Sequence, residues 1–299
     1  MKNKDCRILI TGATGLSGSA VLKTLQQQGY SNTLIPTHRE LDLTRKSRVN
    51  DYFKKHKPDY VFHCAGKIST HLSHHRITNS EIISTDAYIN LNTINAAASN
   101  GVEKFISVGS CWNYPRINRH ISEGDFDYAS SQGDTGHDIS KFLMISLLKH
   151  LKNEKTLDST VMMIPPLMGD KVNGDVNDKH VFAYLVNNIY VGARQNLEEV
   201  KLSSSPTNKR QFIHTDDFGE AAVKALEVDS LLLNVAYDEV FTMEEVVDML
   251  ARKWHYQGKI KWERQVSNIG PQALDCSLSK SKGWSPRISV KETIYNRLA

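Results

Sequence analysis

Ile8-Leu9-Ile10-Thr11-Gly12-Ala13-Thr14-Gly15-Leu16-Ser17-Gly18 decides how this chain folds. An apolar run leads into glycines at 12, 15 and 18, and Ala20, Val21, Leu22 and Leu25 follow at helical spacing. The pattern predicts a buried strand, a tight turn and a helix whose first N–H groups have no partner inside the helix. Such a helix start attracts anions, and glycines in the turn let a pyrophosphate come close to the backbone. Glycine spacing alone is weak evidence, but here a strand precedes it and a helix follows, as a dinucleotide site requires. Gly12, Thr14, Gly15, Leu16, Ser17 and Gly18 are the first candidate cofactor-binding residues.

Outward from that turn, strand and helix alternate as far as Ile164. Residues 32–36 read as a short strand and 46–56 as a polar helix. Tyr60–Cys64 is a buried strand ending in Ala65-Gly66. A helix over 80–100, a strand at Lys104–Val108, a helix over 136–152 and a strand at Thr160–Ile164 complete the series. Strands separated by helices of this length pair in parallel through right-handed crossovers. The expected fold is therefore α/β, a Rossmann-type doubly wound parallel sheet with a smaller C-terminal substrate lobe. Pro165-Pro166 break the alternation, and 167–210, rich in Asn, Asp, Gly and Ser, reads as lobe material rather than another βα unit. Phe212-Ile213-His214 followed by Asp216-Asp217 returns to a strand and an N-capped helix. Thr242 to Glu245 is a capping box for a helix over 243–254. Residues 1–165 with about 210–240 then form the dinucleotide domain, and 166–209 with about 241–299 the lobe.

Composition sets limits. With 299 residues, 40% of them hydrophobic, the chain can bury a full core. Lys and Arg number 37 against 33 acidic residues, a net charge of +4 too diffuse to argue for nucleic acid. No apolar run is long enough to span a membrane, and Met1–Asp5 lacks a signal-peptide core. The four cysteines, Cys6, Cys64, Cys111 and Cys276, have no metal-ligand spacing, so no metal site is expected. The expectation is a cytoplasmic protein with a small phosphorylated ligand and reduced thiols.

Several segments together resemble a known family. His38–Leu43, Cys64-Ala65-Gly66, Lys104–Ser110, Tyr114-Pro115, Lys179-His180-Val181, Lys209–Asp217 and Gly283-Trp284 occur in this order along nearly the whole chain. In that order they resemble the extended short-chain dehydrogenase/reductases, and within them the GDP-L-fucose synthases, epimerase/reductases of GDP-4-keto-6-deoxymannose. The resemblance implies that Asp42 and Leu43 bracket an adenine and that Ala65 and Gly66 lie under the nicotinamide ribose. Read without it, Asp42 is also a plausible helix cap. At the end of the second strand a carboxylate would favour NAD and an arginine the 2′-phosphate of NADP. Arg39 precedes Glu40 there, which favours NADP(H) and leaves NAD(H) open.

Departures fall on the family's catalytic positions. Its engine is Ser, Tyr and Lys, with Tyr-x-x-x-Lys one helical turn apart. Ser110 and Lys141 remain, but His137 stands where the tyrosine would be. An imidazole has a pKa of about 6.5 and an ammonium neighbour lowers it, so a neutral ring, a poor proton donor, is expected at pH 7. The family's epimerising cysteine falls at Trp112, with Cys111 one residue early; near a strand end such an offset turns a side chain to the other face. The partner histidine survives as His180. Pro166 replaces an Asn that would hold the sugar, and nothing in its spacing puts Tyr128, a conceivable replacement phenol, near Lys141.

The resemblance thus implies catalytic roles for Ser110, His137, Lys141 and His180, and substrate contacts from Ser110, Trp112, His180 and Arg210. Lys141 would also hold the cofactor ribose. The leading reading is an NADP(H)-dependent reductase of a 4-keto nucleotide deoxy sugar, without the double C3/C5 epimerisation. The alternatives are a nucleotide-sugar epimerase with altered acid/base residues or a non-catalytic dinucleotide sensor. The helices over 80–100 and 136–152 resemble the pair through which extended family members form a four-helix dimer interface, and their apolar content exceeds what one sheet-facing stripe requires, so a homodimer is expected.

Overall fold

A computed structural model describes residues 4–67, 78–117, 119–129, 135–178, 180–264 and 273–299. In chain order the elements are β1 (Ile8–Thr11), α1 (Leu16–Gln27), β2 (Thr33–Leu34), α2 (Lys46–His56), β3 (Tyr60–His63) and α3 (Asn79–Ser99). Next come β4 (Lys104–Val108), α4 (Gly136–Asn153), β5 (Ser159–Met163), β6 (Leu167–Met168), α5 (Val181–Arg194), β7 (Glu199–Leu202), β8 (Lys209–Arg210) and β9 (Ile213–His214). Finally α6 (Thr215–Lys224), β10 (Leu232–Asn234), β11 (Phe241–Thr242), α7 (Met243–Trp254) and β12 (Lys259–Trp262) run towards the C-terminus.

The main sheet has six strands in the order β10-β5-β4-β3-β1-β2, every pair parallel. Because side chains alternate across a strand, consecutive residues feed two different cores. Leu9, Val61, Phe105 and Val161 pack against α2, α3 and α4 on one face. Ile8, Ile10, Phe62, Ile106 and Met162 pack against α1 and α6 on the other. The chain leaves β1 for β2 on one side and returns to β3 on the other. A switch of direction of this kind opens a crevice beyond the carboxyl ends of the strands.

Three small two-stranded sheets, β11–β8, β12–β7 and β6–β9, surround a third core. Its members include Phe182, Leu185 and Ile189 of α5, Val246 and Leu250 of α7, and Val290, Ile294 and Leu298. Leu274, Cys276 and Trp284 pack on the sheet's own cores instead.

Local readings of the sequence need three corrections. The strand expected over 32–36 shrinks to Thr33–Leu34 at the sheet edge, since Pro36 has no N–H to extend a ladder. The lobe segment 167–210, for which no helix is expected, contains the fourteen-residue helix α5; the apolar spacing of Phe182, Leu185, Val186 and Ile189 outweighs the polar residues around it. The helix after β9 is capped by the ring of His214, whose Nδ1 accepts the Asp216 N–H at 3.1 Å. Asp217 is turned inward, where its carboxylate accepts the N–H groups of Arg287 and Ile288. Among the described residues no helix is long and apolar enough to cross a membrane, and no side-chain cluster could hold a metal ion.

Candidate active site

The turn after β1 is built by close backbone contact. Gly12 has φ +68°, and a Cβ on it would stand 2.9 Å from the backbone of Ala65. A Cβ on Gly18 would stand 2.2 Å from the Gly12 carbonyl oxygen, so α1 can start against the turn only without a side chain there. The Gly15 N–H donates to the Gly12 oxygen at 3.0 Å. Gly15 is the N-cap of α1, with no side-chain cap and no acidic residue in the first turn. The first N–H groups of the helix are therefore left for an external acceptor.

A buried chain of polar groups fixes the facing turn after β3. The Ala65 N–H donates to Thr11 Oγ1 at 3.2 Å, and Thr11 Oγ1 lies 2.9 Å from His63 Nδ1. His63 Nε2 lies 2.9 Å from the Asn90 side-chain oxygen, which only accepts. Nε2 therefore carries the proton, and Nδ1 accepts from the Thr11 hydroxyl. Burial pushes this imidazole down to about 4; the Asn90 bond opposes the shift, and the Lys141 charge adds to it. Ser17, half-buried in α1, hydrogen-bonds the Cys64 thiol, tying the same two turns together. These features fit a dinucleotide: open helix amides and a turn that excludes side chains.

Beyond β2, Arg39 is exposed and makes no hydrogen bond or ion pair among the described residues. Glu40 instead folds back on Thr37, accepting from its N–H at 2.8 Å and its hydroxyl at 2.9 Å, which holds the carboxyl below its ordinary range. The Asp42 carboxylate is engaged by the N–H and hydroxyl of Thr44, at 3.0 and 2.6 Å, and by Arg45 at 3.3 Å. It braces the turn before α2 but does not cap that helix, whose N-cap is Arg45 with no side-chain cap, so the capping alternative fails. The Leu43 side chain is buried in the core, and its carbonyl accepts from Asn92 at 2.9 Å.

Ser110 follows β4, and its Oγ accepts the Trp112 N–H at 3.2 Å, capping the short helical turn Cys111–Asn113. The hydroxyl proton is thereby left to donate elsewhere. Asn113 donates from Nδ2 to the Asp138 carbonyl at 2.8 Å, joining this turn to the first turn of α4. There Thr135 accepts the Asp138 N–H at 3.2 Å and sets the helix start. His137 and Lys141 stand four residues apart, on one face of α4. His137 is half-buried, and its Nδ1 is buried without a hydrogen bond. Burial, and then the Lys141 charge, pushes the ring down to about 4, so it is neutral at pH 7. Lys141 is 7% exposed, and its ammonium makes no hydrogen bond among the described residues. Burial lowers its pKa, while Asp86 and Cys64 act in the opposite direction.

Cys111 and Trp112 differ in depth against the same core, which Cys111 joins and Trp112 packs on from outside. Cys111 is buried in the core, and burial raises its thiol to about 12 despite the Arg210 charge. Trp112 is half-buried, and the Arg210 guanidinium from β8 sits 4.6 Å over its ring. His180 caps α5, with Nδ1 3.0 Å from the Asp178 carboxylate, and no hydrogen bond joins it to Ser110, His137 or Lys141. Lys179 lies outside the described residues.

Among the described residues, neither Tyr128 nor Tyr114 is placed to supply a phenol beside Lys141. Tyr128 packs on Phe126 beneath Lys149, whose Nζ is 3.7 Å from its ring, two turns along α4 from Lys141. Tyr114 is fully buried and donates to Asn234 at 2.7 Å. The structure thus gathers Ser110, Trp112 and Arg210 around one turn, with His137 and Lys141 on the helix tied to it.

Asp86, Asn90 and His63 were not among the residues singled out in the sequence. Their signal was available: Asp86 and Asn90 are polar positions one turn apart on the buried stripe that includes Ile82 and Ile94 of α3.

Comparison with known proteins places these observations among relatives. The sequence profile of the NAD dependent epimerase/dehydratase family matches residues 8–236. GDP-L-fucose synthase 1 of Arabidopsis thaliana is 29% identical over 297 residues, covering 98% of this chain and 92% of the relative. Two solved structures from Campylobacter jejuni share the fold. A GDP-6-OMe-4-keto-L-xylo-heptose reductase superposes with a TM-score of 0.85 at 20% identity, covering 98% of this chain and 96% of its own. A GDP-mannoheptose C4 reductase with NADP bound superposes with a TM-score of 0.84 at 22% identity, covering 99% and 98%.

Proposed function

We propose that this chain, which belongs to the NAD dependent epimerase/dehydratase family, is an NADP(H)-dependent reductase of a 4-keto nucleotide deoxy sugar. In this reading it leaves C3 and C5 of the sugar untouched. The observation that carries the reading is the opposite fate of two side chains: Ser110 stays at the strand end beside α4, while Cys111 is sealed in the core with its thiol at about 12. A reductase needs the first, whereas an epimerase needs a working acid/base that neither sealed Cys111 nor Trp112, at the family's cysteine position, supplies. The similarity to GDP-sugar synthases and the shared fold with GDP-heptose reductases support the substrate class.

Arg39, exposed and unpaired, suits the 2′-phosphate of NADP(H), whereas Glu40 is engaged by Thr37 and badly placed to receive a ribose hydroxyl. When bound, the nicotinamide supplies a hydride to the carbonyl carbon at C4. Ser110 donates a hydrogen bond to the carbonyl oxygen while its own Oγ is held by the Trp112 N–H. His137, neutral, presents an N–H to the same oxygen, the alkoxide left by hydride addition takes its proton from solvent water, and Lys141 holds the ribose and supplies the local positive field. Arg210, stacked on Trp112, offers its charge to the substrate's phosphates and shields the sugar face that a proton shuttle would need.

The test is single-turnover oxidation of bound NADPH by GDP-4-keto-6-deoxymannose in deuterated water. Oxidation with no deuterium at C3 or C5 is expected. Deuterium at either carbon defeats the absence of epimerisation, and tight NADPH binding without oxidation by any keto sugar favours the sensor alternative. The same reading includes a homodimer through α3 and α4, where Tyr88, Leu91 and Leu143 are 59%, 44% and 48% exposed.

A further inference from the structure

We propose that Asp86 is the counter-ion of Lys141, a positioning residue wedged between the Gly66-Lys67 turn and the Ser140-Lys141 stretch of α4. Its carboxylate keeps that lysine an ammonium in a buried site. The proposal rests on the reading of Lys141 as part of the active site, and its first test is independent of any sugar chemistry.

Helix packing brings the two residues to one level. The α3 and α4 starts touch: the Gly136 N–H donates to the Asn79 side chain at 3.0 Å, and a Cβ on Gly136 would stand 2.5 Å from the Asn79 carbonyl oxygen. From that shared start Asp86 lies seven residues along α3 and Lys141 five along α4, about 10 and 8 Å at 1.5 Å per residue. Asp86 is 2% exposed. One carboxylate oxygen accepts the Lys67 N–H at 2.7 Å, and the other is 3.5 Å from the Ser140 hydroxyl. Both lie 3.9 Å from where a Cβ on Gly66 would stand, so the carboxylate sits directly behind the expected ribose turn.

The charged neighbours argue for the pairing. Asp86 of α3, His63 and Cys64 of β3, and His137 on its own helix lie within the electrostatic reach of Lys141, with no direct ion pair between Asp86 and Lys141 among the described residues. The two imidazoles are neutral and the buried thiol is protonated, since burial holds it near 12. Asp86 is then the one anion among these groups. Lys67 also attracts it, from the turn side. An ammonium buried without a compensating anion loses its proton instead. A tyrosine at 137 could share a proton with Lys141, but an imidazole near 4 cannot supply a negative charge, which leaves the balance to Asp86.

Asp86→Asn removes the charge while largely keeping the hydrogen bonds, because the amide oxygen still accepts the Lys67 N–H and the amide nitrogen, in the other oxygen's place, donates to the Ser140 hydroxyl oxygen, whose own proton points at the His137 carbonyl. In the full chain carrying 13Cε-labelled lysine, the Lys141 resonance is identified by its loss in Lys141→Met. Its titration midpoint should fall by at least about one pH unit in Asp86→Asn. NADPH affinity in that variant should decline with rising pH earlier than in the parent. An unchanged Lys141 midpoint overturns the proposal, whether or not the protein reduces a sugar. If Asp86→Asn is too unstable to titrate, thermal unfolding of the double variant Asp86→Asn/Lys141→Met decides. Recovery of most of the lost melting temperature supports a charge pair, and an additive loss overturns it.

Discussion

In the proposed reading, histidine at position 137 takes the place of the family's tyrosine with a group that is neutral across the working pH range. With the ring at about 4, an imidazolium is absent above pH 5, so reduction should show no step between about pH 5.5 and 8 that belongs to His137. A fall in kcat centred near 6.5 would contradict that assignment. His137→Ala should lower kcat about 100-fold while leaving NADPH affinity nearly intact, and His137→Tyr should keep or raise it. An alanine variant as fast as the parent makes the ring a space-filler. The depressed histidines also set an acid limit on stability. Both His63 and His137 sit near 4 in the folded chain against about 6.5 unfolded, so the unfolded state takes up their protons first as pH falls. Stability is full above about 6.5 and declines from there towards 4, by about 2 kcal/mol at pH 5 for fully buried His63 and by less for half-buried His137. Urea unfolding at pH 7 and pH 5 measures the slope. His63→Leu should be less stable than the parent at pH 7 yet lose less on acidification; an equal loss would show that His63 does not set the slope. His137 was legible in the sequence from its spacing to Lys141, but the depth of its shift was not, since burial belongs to the packed helix pair.

At the scale of the element, the glycine turn separates folding from binding. A Cβ on Gly15 meets only the Gly12 oxygen, at 3.3 Å, and the residue is exposed at the mouth of the turn. Gly15→Val should therefore melt within a few degrees of the parent and lose NADPH binding, because its side chain occupies the pyrophosphate's place. Gly18→Val forces a contact of 2.2 Å with backbone and should lose both. Equal melting points for the two variants would refute this division. Arg39→Ala should weaken NADPH at least about 10-fold more than NADH, as expected when a charge-assisted bond to the 2′-phosphate is removed; equal weakening would make Arg39 a bystander. The turn and the βα alternation were legible because glycine, apolar run and helix period are local signals. The helix α5 was hidden by the polar residues preceding it, and its stripe became decisive only once α7 and Phe212 were present to cover it. Likewise the one-residue offset that separates Cys111 from Trp112 was readable, but the stack of Arg210 on that tryptophan, across about a hundred residues of chain, was not.

The whole molecule leaves one face of α3 and α4 apolar. Met144, Ile145 and Leu148 of α4 and Ile94 and Ala97 of α3 already cover the sheet. Tyr88 and Leu91, one turn apart on α3, and Leu143 on α4 remain exposed on the other side, although burying such side chains is worth roughly 1.5–3 kcal/mol each. Two copies meeting through these helices would bury all three residues twice, once per subunit, in a four-helix contact of the self-complementary kind that a two-fold axis produces. The candidate active-site side chains of α4 lie elsewhere on its circumference: Lys141 is buried, two residues before exposed Leu143, and so about 200° around the helix from it. Association would therefore clamp the outer face of the same helix that carries His137 and Lys141 without covering either. Light scattering at micromolar concentration should give twice the 33.7 kDa mass of the chain. Tyr88→Glu with Leu143→Glu should return it to a monomer that keeps its fold by circular dichroism and retains NADPH binding. A parent that is monomeric at that concentration, or a double variant that stays dimeric, would place the contact elsewhere or remove it.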